Sequence, residues 1–340
     1  MSILDTIIAL VQGGSAVGLS IPVILLIGFI LGLLHGATPD EHTWPITFSY
    51  SVGSYSSRGG ARAGFTFSAG FTIQRAILTA LGFLGLAAIY TAYNLDGYVY
   101  LAVGFVMLVA GWFLIRGSDI HLPLDAALER VFGRYFREHT HHTYDARRES
   151  SPEGGVKPVP LRMALVHGFV AGWGVGGFAV ILIFVLAPQM PNVGWAALVG
   201  VMFGLGTMVM QIITGMLFAR LARIKKLSQS QIQQIGRRTA ARTLYIGGLA
   251  FMVVGAVVAA LPWLASYYVS TGNPVPNLNQ IGYATVLIVL VVGVVGGHSL
   301  WKAYREAVDG NRLPERVRGE DARRPSEPPP PNDGPAAPVR

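Results

Sequence analysis

The chain has 340 residues, 52% hydrophobic and only 13% charged, with a formal charge of +8 and no cysteine. Soluble domains carry about 25% charged residues, so this balance, with a mean hydropathy of +0.48, excludes an ordinary soluble domain and implies an integral membrane protein. The missing cysteines exclude disulfides, thiolate metal sites and thiol–disulfide carriers. The basic residues cluster in particular connections, which points to membrane topology rather than to nucleic acid.

No basic stretch precedes the first apolar residues, so no cleavable signal peptide is expected. Within residues 2–12, Ile3, Leu4, Ile7, Ile8 and Val11 share a helical face. That run is too short to span, so residues 1–18 predict a helix lying in the interface, broken by Gly13, Gly14 and Gly18. Spanning segments of roughly 20 apolar residues follow near 19–38, 65–92, 98–116, 161–187, 193–219, 242–268 and 281–303.

The connections form an independent check. Residues 93–97, 188–192 and 269–280 contain no Lys or Arg. The 39–64 connection holds Arg58 and Arg62, the 117–160 connection holds Arg130, Arg134, Arg137, Arg147, Arg148 and Lys157, and 220–241 is equally basic. Basic and basic-free connections alternate, which predicts an outer N-terminus and a cytoplasmic C-terminus in a cell membrane. Residues 304–340 are charged and proline-rich with nothing to bury, and predict a disordered cytoplasmic tail.

Three pairs of segments repeat in order. Leu34-His35-Gly36 matches Val166-His167-Gly168, and Gly70-Phe71-Thr72-Ile73-Gln74 matches the run from Gly206 to Gln211. Gly104 and Gly111 match Gly248 and Gly255 at equal spacing. Three spans separate each pair, so the halves insert in opposite directions, the plan of secondary transporters whose sites lie where the halves meet. The expected fold is therefore an all-α integral membrane protein with about seven transmembrane helices. It comprises a 3+3 inverted repeat (19–117 and 161–269), a cytoplasmic loop at 118–160 and one C-terminal helix at 281–303.

The chemistry concentrates at the end of the first span, in His35-Gly36-Ala37-Thr38-Pro39-Asp40-Glu41-His42. Ionisable groups at membrane depth cost ~3 kcal/mol each on insertion scales and mark function by default. His with Asp or Glu supplies the donors that first-row divalent ions accept. Pro39 ends or kinks the helix and frees the carbonyl of residue 35, and broken helices are where transporters coordinate ions. The plainer alternative makes Asp40 a cap for the next helical turn.

A helix ending in His-x4-Asp-His resembles the signature of nickel/cobalt permeases of the NiCoT type, and related nickel/cobalt efflux and urease-accessory-type membrane proteins carry similar stretches. The resemblance implies that His35, Asp40 and His42 select and translocate metal. This chain departs from the pattern by the inserted Glu41, which rotates the last ligand or takes over from Asp40. Phe203-Gly204-Leu205-Gly206-Thr207 resembles the start of the family's second motif, but Met208 and Met210 follow where acidic residues continue it.

His167 opens the fourth span and is a second candidate ligand, or else a histidine packed among Gly168, Gly172 and Gly176. Gln74 and Arg75 lie near the middle of span two, with Gln211 at the matching place in span five; all three are substrate-path candidates. An arginine there must find a partner, either a carboxylate such as Asp40 or Glu41, or an anionic substrate. His139, His141 and His142 form a weaker metal-capture tract, or simply a solvated loop. His121 and His298 are expected at the interfaces.

The combined expectation is a secondary transporter of Ni²⁺ or Co²⁺, linked to protons because metal ligands must be unprotonated. The metal is cargo, no cofactor is resident, the partners are lipid and a possible second copy, and no nucleotide-binding loop implies ATP as driver. The alternatives are an exporter of a small organic or sulfur-containing anion using Arg75, and a non-transporting accessory protein.

Overall fold

A computed structural model describes residues 3–54, 56–86, 89, 92–93, 95–116, 161–221 and 229–309. The expected histidine tract at 139–142, His121 and the tail beyond 309 lie outside the described residues.

The described chain is mostly helical. Helix α1 is Ile3–Val11, α2 Ile21–Ala37, α3 Trp44–Gly53, α4 Ser57–Phe83 and α5 Asp96–Arg116. Then follow α6 Leu161–Ala171, α7 Gly177–Gln189, α8 Val193–Leu221, α9 Gln229–Ala260 and α10 at 283–309. The inner turns of α7 (Ile181–Leu186) and α10 (Val289–Gly296) are π-wound. Val269–Ser270 and Gln280–Ile281 pair antiparallel at the base of the loop before α10.

Four helices are long and apolar enough to cross a membrane: Asp96–Arg116, Val193–Arg220, Gln231–Ala260 and Tyr283–Glu306. Helical residues also overlap each of the other apolar segments expected above. Helix α1 forms as expected but turns Thr6, Ile7 and Leu10 inward, leaving Ile3, Leu4 and Ile8 exposed.

The largest departure from the sequence reading is at 38–53. This stretch is read above as the start of a cytoplasmic connection. Instead, α2 stops at Ala37 because Pro39 has no N–H to donate, while Thr38 N–H still reaches the Leu34 carbonyl at 3.0 Å. After a six-residue break at 38–43 the chain re-enters as α3, in which every residue from Pro45 to Gly53 is buried. A hydroxyl-rich helix (Thr47, Ser49, Ser51) is hidden here, and hydropathy alone could not place it inside. Ser56 Oγ then accepts the Gly59 N–H at 2.9 Å and starts α4.

Helices approach closely through glycine. A methyl on Gly32 would fall on the Phe203 carbonyl, and one on Gly168 would fall on the Phe67 carbonyl. Gly70 likewise abuts the Leu165 carbonyl and Gly206 the Phe29 carbonyl. Gly104 and Gly248 face each other across the α5–α9 contact, where a methyl on Gly111 would meet Tyr245 and one on Gly255 would meet Leu101. What Gly32 is to α8, Gly168 is to α4.

Gly36, near the end of α2, lies against Thr207 and Met210, at the midpoint of α8. Helix α2 thus ends halfway along its neighbour. Helix α6 also stops early, at Ala171, and the 172–176 break separates it from α7. The two breaks face each other, with His42 of the first against Gly174 of the second.

The bundle has unlike poles. The start of α4 meets the end of α8, where Gly60 abuts Gly215 and Ala219, and the end of α5 meets α9 and α10 there, through Arg237 to the Leu114 carbonyl and Arg238 to Glu306. This pole carries Arg58, Arg62, Arg116, Arg220, Arg237, Arg238 and Arg242. The described connections at the other pole, 188–192 and 261–282, contain no Lys or Arg.

Gly168→Ala is expected to lower stability by about 1–3 kcal/mol, because its methyl has only backbone to displace. Gly297→Ala, with nothing within 4 Å of the added methyl inside a helix, is expected to be neutral or to stabilise by about 0.5–1 kcal/mol. Thermal unfolding of both variants in detergent checks the pair.

Candidate functional site

The break after α2 concentrates polar chemistry because its backbone groups have left one helix and not yet joined the next. Asp40 handles much of this. Its Oδ1 accepts the His42 backbone N–H at 3.0 Å, and its own carbonyl accepts the Trp44 N–H at 3.0 Å, starting α3. The capping alternative is therefore real for one carboxylate oxygen. The other, Oδ2, lies 3.8 Å from His35 Nδ1 and accepts from Asn277 Nδ2 at 3.4 Å.

Glu41 turns toward α5. Its Oε1 accepts the Tyr100 hydroxyl at 2.8 Å and lies 3.3 Å from His42 Nδ1. The His42 ring packs on Tyr100 at 4.8 Å and against Gly174 of the second break, where a side chain would come within 2.6 Å of the imidazole. Ligand atoms from Asp40, Glu41 and His42 all lie within 4.8 Å of one another. His42 Nε2 and both ring nitrogens of His35 have no hydrogen-bond partner in the buried interior.

Burying polar atoms without partners is costly, so buried imidazole nitrogens of this kind are candidate ligand atoms. One buried and one half-buried carboxylate beside two imidazoles give the negative charge and the donors that a divalent cation would take. The mixed nitrogen and oxygen donor set fits a first-row divalent ion. His35 stands apart from the tight triplet in an aromatic box: Phe71 stacks on it at 5.5 Å, with Phe178 at 5.5 Å and Phe203 at 5.2 Å. Because α2 ends at Ala37, His35 and His42 lie on different segments, linked by Asp40, whose Oδ2 lies 3.8 Å from His35 Nδ1 and whose Oδ1 accepts the His42 N–H.

Arg75 belongs to the second break. It donates to the Gly174 carbonyl at 3.1 Å, and its guanidinium lies over Phe71 at 4.6 Å. Phe71 thus touches both His35 and Arg75. Gln74 lies against Gly172, fully buried, and its amide atoms have no hydrogen-bond partner. Gln211 is also fully buried and without such a partner.

His167 is not brought to the triplet. Its Nδ1 lies 2.8 Å from the Tyr50 hydroxyl and 2.9 Å from the Met163 carbonyl, linking α6 to α3. His298 is exposed within α10 and packs on Trp301 at 5.7 Å.

Several members of the site were missed in the sequence. Asn277 comes from the loop before α10 and bonds both Thr38 Oγ1 (3.3 Å) and Asp40. It is the one non-glycine at positive φ (69°) among the described residues, and an Asn among prolines in a long loop was the available signal. Tyr100 stands one turn after Asp96 on an otherwise apolar helix, and Asp96 adds to the negative field at His42. That polar spacing was visible, but nothing local linked it to residue 41. Comparison of the chain with family models, with curated proteins and with solved structures finds no match.

Tyr100→Phe removes a hydrogen bond to a half-buried carboxylate and should lower stability by about 1.5–3 kcal/mol. Tyr98→Phe, at a side chain 58% exposed, should leave the unfolding temperature of the detergent-purified protein unchanged.

Proposed function

We propose that the protein is a secondary transporter of divalent transition-metal ions, Ni²⁺ or Co²⁺ first, and that the ion binds at the break after α2. The observation that carries this reading is the Asp40–Glu41–His42 triplet, with Asp40 and His42 buried and Glu41 half-buried, at the interrupted end of a helix that stops halfway along its neighbour. Asp40 and Glu41 offset the charge, His42 ligates through Nε2, and His35 is within reach through Asp40. Tyr100 and Asn277 orient the carboxylates from outside the ligand set, as metal sites require. The resemblance of His35-x4-Asp40-Glu41-His42 to the nickel/cobalt permease signature adds to this reading.

The reading includes seven crossings arranged as an inverted repeat, with α2–α3 answered by α6–α7, α4 by α8 and α5 by α9. The exchanged glycine contacts support it, since Gly32, Gly70 and Gly104 have the surroundings of Gly168, Gly206 and Gly248. In that register the two breaks are counterparts, and movement of one half against the other alternately exposes the site. The basic pole then faces the cytoplasm of the cell, with the N-terminus outside.

The competing reading, export of a small anion on Arg75, has one observation in its favour: a buried guanidinium at the second break. The metal reading is preferred because Arg75 is already engaged by the Gly174 carbonyl and the Phe71 face, whereas His42 Nε2 has no partner.

Calorimetry on the detergent-purified protein tests this. Ni²⁺ or Co²⁺ should bind wild type and fail to bind His42→Ala, and Tyr100→Phe should weaken binding by about 10–100-fold. Affinity should fall between about pH 7.5 and about pH 5.5, because protons compete for the imidazoles. Unchanged binding in His42→Ala would sink the proposal, and loss of flux in Arg75→Ala with no metal binding in wild type would favour the anion reading.

A further inference from the structure

A second polar feature lies far from the breaks, at the basic pole. Between the end of α5 and the first turns of α9 there is a cavity of about 450 Å³, lined by Leu114, Ile115, Gln234, Arg237, Arg238 and Arg242. Arg237 is held by the Leu114 carbonyl at 3.3 Å. Arg238 and Arg242 both reach one carboxylate, Glu306, at 2.7 Å and 3.3 Å. Arg242 Nη1 is buried and has no hydrogen-bond partner. Two guanidinium groups thus converge on one carboxylate with a third beside them, leaving positive charge and an unused donor beside an apolar wall.

The level of this cavity is marked by aromatic residues. Trp112 lies beneath Arg116 at 4.0 Å and stacks with Tyr245 at 6.3 Å, and Trp301 lies beneath Arg305 at 5.0 Å. Tryptophan and tyrosine under arginine are the pattern of a helix bundle at headgroup depth. Ile115, in the cavity wall, is 55% exposed on the outer surface of the bundle, so the cavity is flanked by the surface that acyl chains would cover.

We propose that this cavity binds the phosphodiester headgroup of an anionic phospholipid, with Arg237, Arg238 and Arg242 as the phosphate contacts. Arginine matches phosphate geometry through paired N–H donors, and basic pockets between helices on the cytoplasmic side hold anionic headgroups. Glu306 occupies part of the positive field and tempers the affinity. Leu114 and Ile115 receive the glycerol and the first acyl carbons, which free phosphate lacks. The site is independent of what the bundle transports.

The test uses the full-length protein, delipidated in detergent, titrated with phosphatidylglycerol, phosphatidylcholine or inorganic phosphate, with bound lipid counted by native mass spectrometry and stability read by thermal unfolding. Wild type should bind phosphatidylglycerol at least about tenfold more tightly than phosphatidylcholine, with no response to inorganic phosphate at the same concentration. Arg237→Ala/Arg242→Ala should bind the two lipids alike. Glu306→Gln, which keeps all three arginines, should retain or strengthen the preference. If the double variant does not fold, Arg238→Ala, at a half-exposed side chain, takes its place and should weaken the preference. Equal binding of both lipids by wild type, an intact preference in the arginine variants, or a response to inorganic phosphate alone would overturn the proposal.

Discussion

The structure depends on two interruptions of helix placed face to face inside an apolar bundle. An interrupted helix leaves backbone N–H and C=O groups without intrahelical partners, which must be satisfied from elsewhere. Here each break is supported from elsewhere in the fold. Asp40 accepts the His42 N–H within the first break, Asn277 reaches in from the loop before α10 to Asp40 and Thr38, and Arg75 of α4 takes up the Gly174 carbonyl of the second. The polar side chains are there to permit the breaks, and the breaks hold those side chains at depth.

That coupling defines what the site can do. Asp40 spends one oxygen on backbone and keeps the other toward His35, while Glu41 is oriented by Tyr100. The imidazole of His42 is wedged between Tyr100 and Gly174, a position open only because residue 174 has no side chain. His35 is enclosed by three phenylalanines from α4, α7 and α8, one of which also carries the Arg75 guanidinium. Cationic and anionic groups are therefore divided between the two breaks, with Phe71 between His35 and Arg75. A change at either break is felt by the other through direct contacts.

Around this centre the helices are locked by backbone contacts at glycine, which resist deformation because close-packed interiors have little slack. The rigid pairs are α4 with α8 and α5 with α9, and the polar residues sit where α2 and α6 stop short between them. At the basic pole the same helices end among arginines and tryptophans, so that the α5–α9 pair runs from Tyr100 beside the first break to that pole.

Composition and periodicity alone determined that this is a helical, apolar chain with basic and basic-free connections, because hydropathy and charge are local sums along the sequence. The His35–His42 stretch was also legible, since ionisable residues stand out in an apolar run. The fate of 38–53 was not: Thr47, Ser49 and Ser51 read as loop, and only packing against neighbouring helices shows them as a buried helix. Tertiary structure alone decided that His167 pairs with Tyr50 rather than with the triplet, that Gly32 has the surroundings of Gly168, and that Tyr100 and Asn277 complete the site. These are contacts between residues up to 237 positions apart, and no pattern read along one segment carries the register in which distant helices meet.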